Sequence, residues 1–484
     1  MTELYPGERE AASGRQALPA DYVRAIKEQL GDDFDAYIRS MSGEPVRSLM
    51  LNTLRGVTKD MLPFELSETS VLWEPDGYYY DMSDGKRPGK HVLHEAGAYY
   101  IQEASAMAPA RALMEGFVPE EEPYILDLCA APGGKSTQIG ISLKKRGLLV
   151  SNEIHPARAQ ILSRNIERMG IAGAVVTNET PERLSEVFPA FFDGILVDAP
   201  CSGEGMFRKN PEAIGEWSAE NVEMCAERQA QILECALEML SPGGRMVYST
   251  CTFSREEDED MIRSFIEKHG DIKLILEKKL MPHEVNGEGQ YYAVMEREGR
   301  RSVRPVSAFS VGYEGKGNSN TPPKKKPDKT DQKVADIVRK MLGELLAVSA
   351  DKVFPAGGTL RRIRDGVYYV PDCVSRLSGS IKILRPGLHA ADIKKDRVEP
   401  AHALSHMFMP EDVLRTAVLS AEDAAGYLSG LSIPEDRLTI TGQVKDKGFN
   451  GFMPAVYGGL ILGWGKLAGG VYKNHYPKGL RVVL

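Results

Sequence analysis

The 484-residue sequence lacks the hydrophobic segments that would export the chain or anchor it in a membrane. Residues 1–16 are polar, and no later run reaches the ~18 apolar residues that a membrane span needs. We therefore expect a cytoplasmic protein without membrane contact. The 42% hydrophobic and 26% charged residues are typical of a folded chain, and the length predicts two to four domains.

Cysteine is also sparse, with six residues and no CxxC pair. This usage excludes a disulfide framework and the common zinc patterns, so we expect free thiols. The run from His91 through His94 to Glu95 has the order HxxHE, whereas zinc proteases require HExxH or HxxEH. We therefore predict no metal and interpret these residues as structural.

A uniformly basic composition, common in nucleic-acid binders, is absent because the formal charge is −8. The charge is uneven, however, since residues 321–400 contain 17 Lys and Arg against 10 Asp and Glu. Two interpretations stay open, a phosphate-facing surface and a solvated linker with ordinary surface charge. The residues concerned are Lys324, Lys325, Lys326, Arg361, Arg362, Arg364, Lys382, Arg385, Lys394, Lys395 and Arg397.

Between Tyr124 and Tyr248, short apolar runs alternate with helical stretches. This alternation predicts an α/β fold, a doubly wound Rossmann-like core whose mostly parallel sheet has helices on both faces. A helix over residues 18–41 and a strand over 46–53 predict a small α+β domain before it. The apolar runs are YILDL, LLVSNE, GILVDAP and GRMVYST, and the predicted helices span residues 135–143, 156–169 and 221–240.

Residues 312–333 contain almost no apolar side chains and several Gly and Pro, so we predict a flexible linker there. We accordingly predict an N-terminal accessory domain at residues 1–92, the catalytic domain at 93–311 and a β-rich C-terminal region at 334–484. On this interpretation the linker separates the catalytic domain from an appendage.

The segment DLCAAPGGKS, from Asp127 to Ser136, follows a buried-type strand and opens a helix. Gly133 and Gly134 let the backbone approach a ligand beside the helix N-terminus, which predicts a nucleotide-like ligand. The GKS end and the later GILVDAP also resemble the P-loop and magnesium strand of ATPases. That pattern, however, requires glycine where Cys129 stands.

Glu153 favours a ribose-bearing cofactor with little phosphate. It ends the next predicted strand, 26 residues after Asp127, where a carboxylate can accept both hydroxyls of a ribose. A surface acid is the alternative interpretation of Glu153 taken alone.

Two cysteines, Cys201 in DAPCSG and Cys251 in YSTC, follow predicted strands of the same sheet. A single cysteine at such a position is usually a small core residue. Because both strand ends open onto one crevice, the pair instead predicts two thiols facing one pocket. A thiol of pKa ~8.5 is only slightly ionised at neutral pH, so a nucleophile needs a neighbouring cation, for which Lys135 is the candidate.

CAAPGGK, DAPCSGEG and STC, in this order, resemble the motifs of the NOP/Sun family of RNA 5-methylcytosine methyltransferases. NTLR, RPGKH and HEAGAYYIQEASAMAP ahead of them, and RPGLHAADIKKDRVEPAHAL after the linker, resemble the RsmF-like bacterial branch. The likeness covers nearly the whole chain and is sharpest over residues 92–257. It implies a class I methyltransferase core, S-adenosylmethionine as methyl donor and a PUA-like, RNA-binding C-terminal region.

The resemblance also assigns roles. It implies that Cys251 is the nucleophile that adds to carbon 6 of cytosine and that Cys201 assists product release. Asp198 is expected at the cofactor and the target base, where it accepts from the exocyclic amine of cytosine. The residues expected to bind the cofactor are Cys129, Ala130, Ala131, Pro132, Gly133, Gly134, Lys135, Glu153 for the ribose, and Asp198.

One position departs from the family pattern. Where the family has an aspartate directed at the adenine, this chain has Asn178. An amide oxygen still accepts a hydrogen bond from the adenine amine, so Asn178 is a candidate for the same contact. A plain loop residue is the alternative.

The branch resemblance implies small-subunit ribosomal RNA as the partner, with target cytosines near the decoding site. We also expect a monomer. The alternative function is a non-catalytic ribosome-assembly factor that keeps the fold as a scaffold. A DNA cytosine methyltransferase is disfavoured because those enzymes place the nucleophile in the PC motif and leave no role for Cys251.

Overall fold

A computed structural model of the chain describes residues 17–82, 85–301, 329–349, 354, 357–374, 381–394, 397–443 and 448–484. Within these residues the strands form four sheets, of four, eight, four and six strands. No helix in this part of the chain is long and apolar enough to cross a membrane.

The N-terminal unit is a small α+β structure, as predicted. Gly31, with a φ of +54°, ends the first helix, so two helices replace the one expected over residues 18–41. The antiparallel sheet has the order β2–β3–β1–β4, and β4 lies beyond the predicted boundary at residue 92. Its elements are α1 (Ala20–Leu30), α2 (Phe34–Met41), β1 (Ser48–Leu51), β2 (Leu66–Val71), β3 (Glu74–Tyr80), α3 (Val92–Glu95) and β4 (Tyr99–Ile101).

The histidines of the HxxHE run have local structural partners. His91 Nδ1 accepts from Leu93 N at 3.1 Å and thereby caps α3. His94 Nδ1 and Glu95 Oε1 lie 3.0 Å apart.

The middle of the chain is doubly wound, which confirms the predicted fold class. Its sheet has the order β10–β11–β9–β8–β5–β6–β7, in which β5 to β9 run parallel. The elements are α4 (Ala108–Met114), β5 (Tyr124–Asp127), α5 (Gly134–Leu143), β6 (Leu148–Asn152), α6 (Pro156–Arg168), β7 (Ala174–Thr177), α7 (Pro181–Val187), β8 (Phe192–Asp198), α8 (Glu212–Glu216), α9 (Ala219–Met239), β9 (Leu240–Thr250), α10 (Glu259–Lys268), β10 (Ile272–Leu280) and β11 (Gln290–Arg297).

Helices cover both faces of this sheet, so its central strands are apolar on both sides. Leu126 and Val150 belong to the hydrophobic core on one face. Ile125 and Leu149, their neighbours in sequence, belong to the core on the other face. This double burial explains why the strands read as continuous apolar runs.

The C-terminal part begins with α11, whose first five residues belong to the predicted linker; residues 312–328 lie outside the described residues. It forms a four-stranded sheet and then a six-stranded one. Its elements are α11 (Lys329–Leu345), β12 (Gly358–Ile363), β13 (Gly366–Pro371), β14 (Ile383–Arg385), β15 (Leu388–Lys394), β16 (Arg397–Pro400), α12 (His402–Ser405), β17 (Arg415–Val418), α13 (Ala421–Ser429), β18 (Ile433–Pro434), β19 (Thr439–Gly442), β20 (Gly451–Tyr457), β21 (Leu460–Ala468) and β22 (Val471–Asn474).

The sequence predicted an appendage behind a linker, and the structure shows that this C-terminal part packs into the central sheet. β14 pairs antiparallel with β7 and becomes the eighth strand of the central sheet. Val370 and Ile381 are buried in the same core as Leu148. The six-stranded sheet in turn packs on the N-terminal unit, where the buried Arg55 donates from Nη2 to Ile461 O at 3.1 Å. The C-terminal part therefore completes the core of the catalytic unit.

Candidate active site

The carboxyl ends of five parallel strands bring the predicted site residues to one edge of the central sheet. Ligands of doubly wound sheets bind at this edge, so the candidates share one crevice. The residues that end or follow the strands are Asp127 (β5), Glu153 (β6), Asn178 (β7), Asp198 (β8) and Cys251 (β9).

The two cysteines meet at this edge. Cys201 Sγ lies 3.3 Å from Cys251 Sγ, and both residues are partly buried. The hydrogen bond with Cys251, together with burial, raises the pKa of the Cys201 thiol well above its usual value, so Cys201 keeps its proton at neutral pH. At this separation either thiol can donate a hydrogen bond to the other.

Hydrogen bonds between the two cysteine loops hold the thiols together. Gly205 N donates to Cys251 O at 2.8 Å. The hydroxyl oxygens of Ser202 and Thr252 lie 2.7 Å apart. The two loops therefore form one unit, and the separation of the thiols is set by several contacts.

Two buried carboxylates brace the same loops. Glu257 Oε2 accepts from Ser202 N at 3.1 Å and from Gln229 Nε2 at 2.7 Å, and Glu204 Oε2 accepts from Phe253 N at 2.9 Å. Burial raises the pKa of Glu204 to about 7 and also raises the pKa of Glu257. Our sequence reasoning missed both residues, because an acid in a loop carries no signal that distinguishes a buried brace from a surface charge.

Asp198 lies beside Lys135 of the glycine-rich segment and is held by three side chains. Lys135 Nζ donates to Oδ2 at 2.8 Å, Ser249 Oγ to Oδ1 at 2.8 Å and Gln290 Nε2 to Oδ1 at 3.3 Å. Burial lowers the pKa of Lys135, but the charges of Asp198 and, less strongly, Cys251 outweigh this, and the net pKa is raised. Lys135 therefore stays an ammonium in the neighbourhood of the thiols. Ser249 and Gln290 were not predicted.

The outer side of the glycine-rich loop is anchored to α6. Arg158 Nη2 donates to Ala131 O at 2.7 Å, and Asn165 Nδ2 donates to Pro132 O at 2.8 Å. These bonds satisfy two carbonyl groups of the loop and restrain its path.

Gly133 is required by the path of this loop. Its φ is +115°, and a β-carbon there would lie 3.1 Å from Leu162 Cδ1. Gly134 then begins α5, whose first amides point into the loop. At the start of the loop, Ala130 N donates to Asn152 O at 2.8 Å, and burial raises the pKa of the Cys129 thiol.

Asp127 ends β5 and Glu153 follows β6, and the two carboxyl groups differ in how many of their oxygens have a hydrogen-bonding or ionic partner. Glu153, only 3% exposed, accepts from His155 N at 2.8 Å and lies 3.4 Å from Arg158 Nη1. Asp127 Oδ2 accepts from Ser136 Oγ at 2.6 Å, but the buried Oδ1 has no hydrogen-bond partner among the described residues. Burial raises the pKa of Asp127 to about 7. A buried acceptor without a donor marks a place for a donor from a ligand.

Asn178 occupies the next position along the crevice. Its Nδ2 donates to Glu153 O and to Ile154 O, both at 2.8 Å. Its Oδ1 accepts from Lys382 Nζ at 2.6 Å. Lys382, which precedes β14, was a candidate for a phosphate-facing surface, and the structure places it at the strand-end crevice.

Four family descriptions match successive parts of the chain. Residues 18–104 match the N-terminal domain of 16S rRNA methyltransferase RsmF, and residues 116–297 match 16S rRNA methyltransferase RsmB/F. Residues 348–408 match the RsmF rRNA methyltransferase first C-terminal domain, and residues 415–482 match the methyltransferase RsmF PUA domain.

A full-length relative agrees with these matches. Ribosomal RNA small subunit methyltransferase F of Shewanella piezotolerans is 31% identical over 482 residues, which cover 95% of this chain and 96% of the relative. The chain belongs to the ribosomal RNA small subunit methyltransferase F family. It is therefore an rRNA methyltransferase of the RsmF-like NOP/Sun type, and the ATPase and DNA-enzyme interpretations do not apply.

Solved structures show the same catalytic fold as this RsmF-family methyltransferase. The crystal structure of PH0851 superposes with a TM-score of 0.54 at 25% identity, over 61% of this chain and 70% of that chain. The structure of NSun6 from Pyrococcus horikoshii with SFG has a TM-score of 0.51 at 20% identity, over 58% of this chain and 99% of that chain.

The basic residues of residues 321–400 that the structure describes have different environments. Arg385 is buried against Glu167, with 2.9 Å between Nη1 and Oε2. Lys394 and Arg397 both pair with Glu399. Arg362 and Arg364 are exposed on the β12–β13 hairpin, and Lys382, Lys394 and Arg397 are exposed as well. Residues 324–326 and 395 lie outside the described residues.

Proposed function

We propose that this rRNA methyltransferase transfers the methyl group of S-adenosylmethionine to carbon 5 of a cytosine, through a covalent adduct with Cys251. The observation that carries the proposal is the 3.3 Å contact between Cys251 Sγ and Cys201 Sγ beside the cofactor loop. The substrate that we propose is small-subunit rRNA near the decoding site, bound by a monomer.

The strand-end residues fit S-adenosylmethionine. Glu153 directly follows β6, at the position where a carboxylate of this fold accepts the ribose hydroxyls. Asp127 Oδ1, buried without a donor, matches the amine of the methionine part. When bound, the cofactor supplies an electrophilic methyl group on a sulfonium. The glycine loop and α5 N-terminus would hold its methionine part.

Carbon 5 of cytosine is a weak nucleophile, so the ring must first be activated. The Cys251 thiolate adds to carbon 6 and makes carbon 5 electron-rich enough to take the methyl group. The raised pKa of Lys135 keeps an ammonium near this thiolate. Asp198, oriented by Ser249 and Gln290, would accept from the exocyclic amine of the base. The base must leave its stack to reach this crevice.

Release requires loss of the carbon 5 proton to a base and cleavage of the bond between Cys251 and carbon 6. Cys201 is placed for this step, because its protonated thiol lies against the sulfur that leaves as a thiolate. A non-catalytic assembly factor would need neither thiol, and the braced loops around both argue for catalysis.

The test separates the two thiols with single variants and methyl-labelled cofactor on small-subunit rRNA. Cys251→Ser should lower turnover about a thousandfold or more and form no adduct, because a hydroxyl is far less ionised than a thiol. In the Cys201→Ala variant, Cys251 should still attack carbon 6, and carbon 5 should still be methylated. The product should then stay attached as a protein–RNA adduct that resists denaturation and disappears with RNase.

Cys235→Ala, which changes a cysteine of α9 outside the crevice, should retain full activity. The double variant without Cys201 and Cys251 should give no adduct. Full activity of both single variants would refute covalent catalysis by this pair, and an adduct in Cys251→Ser instead of Cys201→Ala would exchange the roles.

A further inference from the structure

The C-terminal part reaches the strand-end crevice through its backbone. β14 pairs with β7, so that Ile383 lies opposite Thr177. Just before this strand, Lys382 O accepts from Asn178 N at 3.0 Å, and Lys382 N donates to Glu179 Oε1 at 2.5 Å. These contacts fix Lys382 beside Asn178 independently of its own side chain.

The buried side chain of Asn178 is hydrogen-bonded to the exposed side chain of Lys382. Asn178 is 7% exposed, and both of its amide hydrogens are used by the carbonyls of Glu153 and Ile154. Its Oδ1 accepts from Lys382 Nζ at 2.6 Å. An amide oxygen has two lone pairs and an ammonium three N–H groups, so the pair still offers one acceptor and two donors.

The order of the strands indicates which part of the cofactor meets this pair. If the proposed function holds, the methionine part lies at the loop after β5 and the ribose at Glu153 after β6. The base attached to that ribose then extends toward the next strand, β7, which Asn178 follows. The hydrogen bond from Asn178 to Glu153 O shows that the two positions adjoin.

The family resemblance already implies that Asn178 Oδ1 accepts from the adenine amine. We propose that Lys382 Nζ, beside it, donates to the neighbouring ring nitrogen, so that the C-terminal part supplies a specificity-determining residue of the cofactor site. This inference rests on the proposed function. Adenine presents an amine donor next to a ring-nitrogen acceptor. An amide oxygen and an ammonium 2.6 Å apart present the complementary pattern.

Hypoxanthine provides the sharpest probe, because it carries an acceptor and a donor where adenine carries a donor and an acceptor. Titration calorimetry would compare S-adenosylhomocysteine with S-inosylhomocysteine on the full chain. Wild type should prefer the adenine compound by tenfold or more. Lys382→Met should weaken binding of the adenine compound about tenfold and change binding of the hypoxanthine compound by no more than about twofold. The reason is that only adenine has an acceptor for the donor that this substitution removes.

Lys382→Arg retains a donor and should keep most of the preference for adenine. Lys340→Met makes the same change at an exposed position of α11 and should bind like wild type. Unchanged affinities in Lys382→Met would overturn the inference, as would an equal loss for both compounds, because a purely structural role weakens both. If wild type bound neither compound, the proposed function would fail, and the inference with it.

Discussion

At the scale of single residues, the buried carboxyl group of Asp127 has a raised pKa and one oxygen that is available to a ligand. One of its oxygens has a donor in Ser136, and the other is buried without one among the described residues. Burial is the largest cause of the raised pKa, and the nearby charge of Asp198 adds to it. The unsatisfied oxygen is therefore the part of the site that a bound amine would stabilise most.

Asp127→Asn tests this through pH. The pKa of Asp127 is raised from 3.8 to about 7 in the folded chain, so its ionisation costs stability as pH rises between these values. Without cofactor, the melting temperature of wild type should fall more between pH 5 and pH 8 than that of Asp127→Asn. Parallel melting curves for the two proteins across this range would contradict the assignment.

The same variant should bind S-adenosylhomocysteine about tenfold more weakly at pH 8, because the neutral amide loses a charge-assisted hydrogen bond to the ligand amine. Isothermal titration measures this directly. Glu182→Ala, which removes an exposed acid from α7, is the matched control and should bind like wild type.

At the scale of elements, β14 is a three-residue strand that would not persist without tertiary contacts. Its pairing with β7 is reinforced by Arg385, 5% exposed, whose guanidinium lies 2.9 Å from Glu167 on α6. The ion pair joins the C-terminal part to the helix that anchors the glycine loop. Its loss should loosen the strand at the edge of the crevice.

Arg385→Ala should lower the free energy of unfolding by about 2 kcal/mol, because it removes a buried guanidinium and leaves the partly exposed Glu167 without its partner. Denaturant unfolding measures this. The double variant Arg385→Met with Glu167→Gln should recover much of the loss, since no unpaired charge remains. If the double variant is as unstable as the single one, packing rather than the ion pair holds β14.

At the scale of the whole molecule, the C-terminal part and the catalytic unit share one core, to which Val370 and Ile381 belong. Deleting residues 329–484 should therefore expose apolar surface and remove the strand beside β7. We expect the remaining fragment to melt at a temperature lower by about 10 °C or more, which corresponds to a loss on the order of several kcal/mol in the free energy of unfolding. We also expect it to bind S-adenosylhomocysteine more weakly.

Thermal unfolding and calorimetry of residues 1–328 against the full chain would measure both effects. A fragment that melts and binds the ligand like the full chain would show that the C-terminal part is detachable after all. Loss of RNA binding alone, with stability and ligand affinity retained, would also favour the appendage that we predicted from the sequence.

The sequence by itself determined the elements whose signals are local. Alternating apolar runs predicted β5, β6, β8 and β9, and the glycines, strand-end carboxylates and Cys201 and Cys251 predicted one crevice. The strand predictions held because a strand buried on both faces is apolar throughout. The predicted site residues lie at one edge of the sheet because parallel strands present their carboxyl ends there, and their roles stay predictions.

Only the tertiary structure decided the rest. Neither β7 nor β11 was predicted. Gln290, the first residue of β11, was missed for the same reason, although it donates to Asp198, 92 residues earlier in the chain. The β-rich character of residues 334–484 was predicted, but the pairing of β14 with β7, more than 200 residues earlier, was not, and Lys382 was considered only among the basic residues of residues 321–400. Contacts of this kind depend on sheet order and on side-chain packing between distant segments, which leave no periodicity in the chain itself.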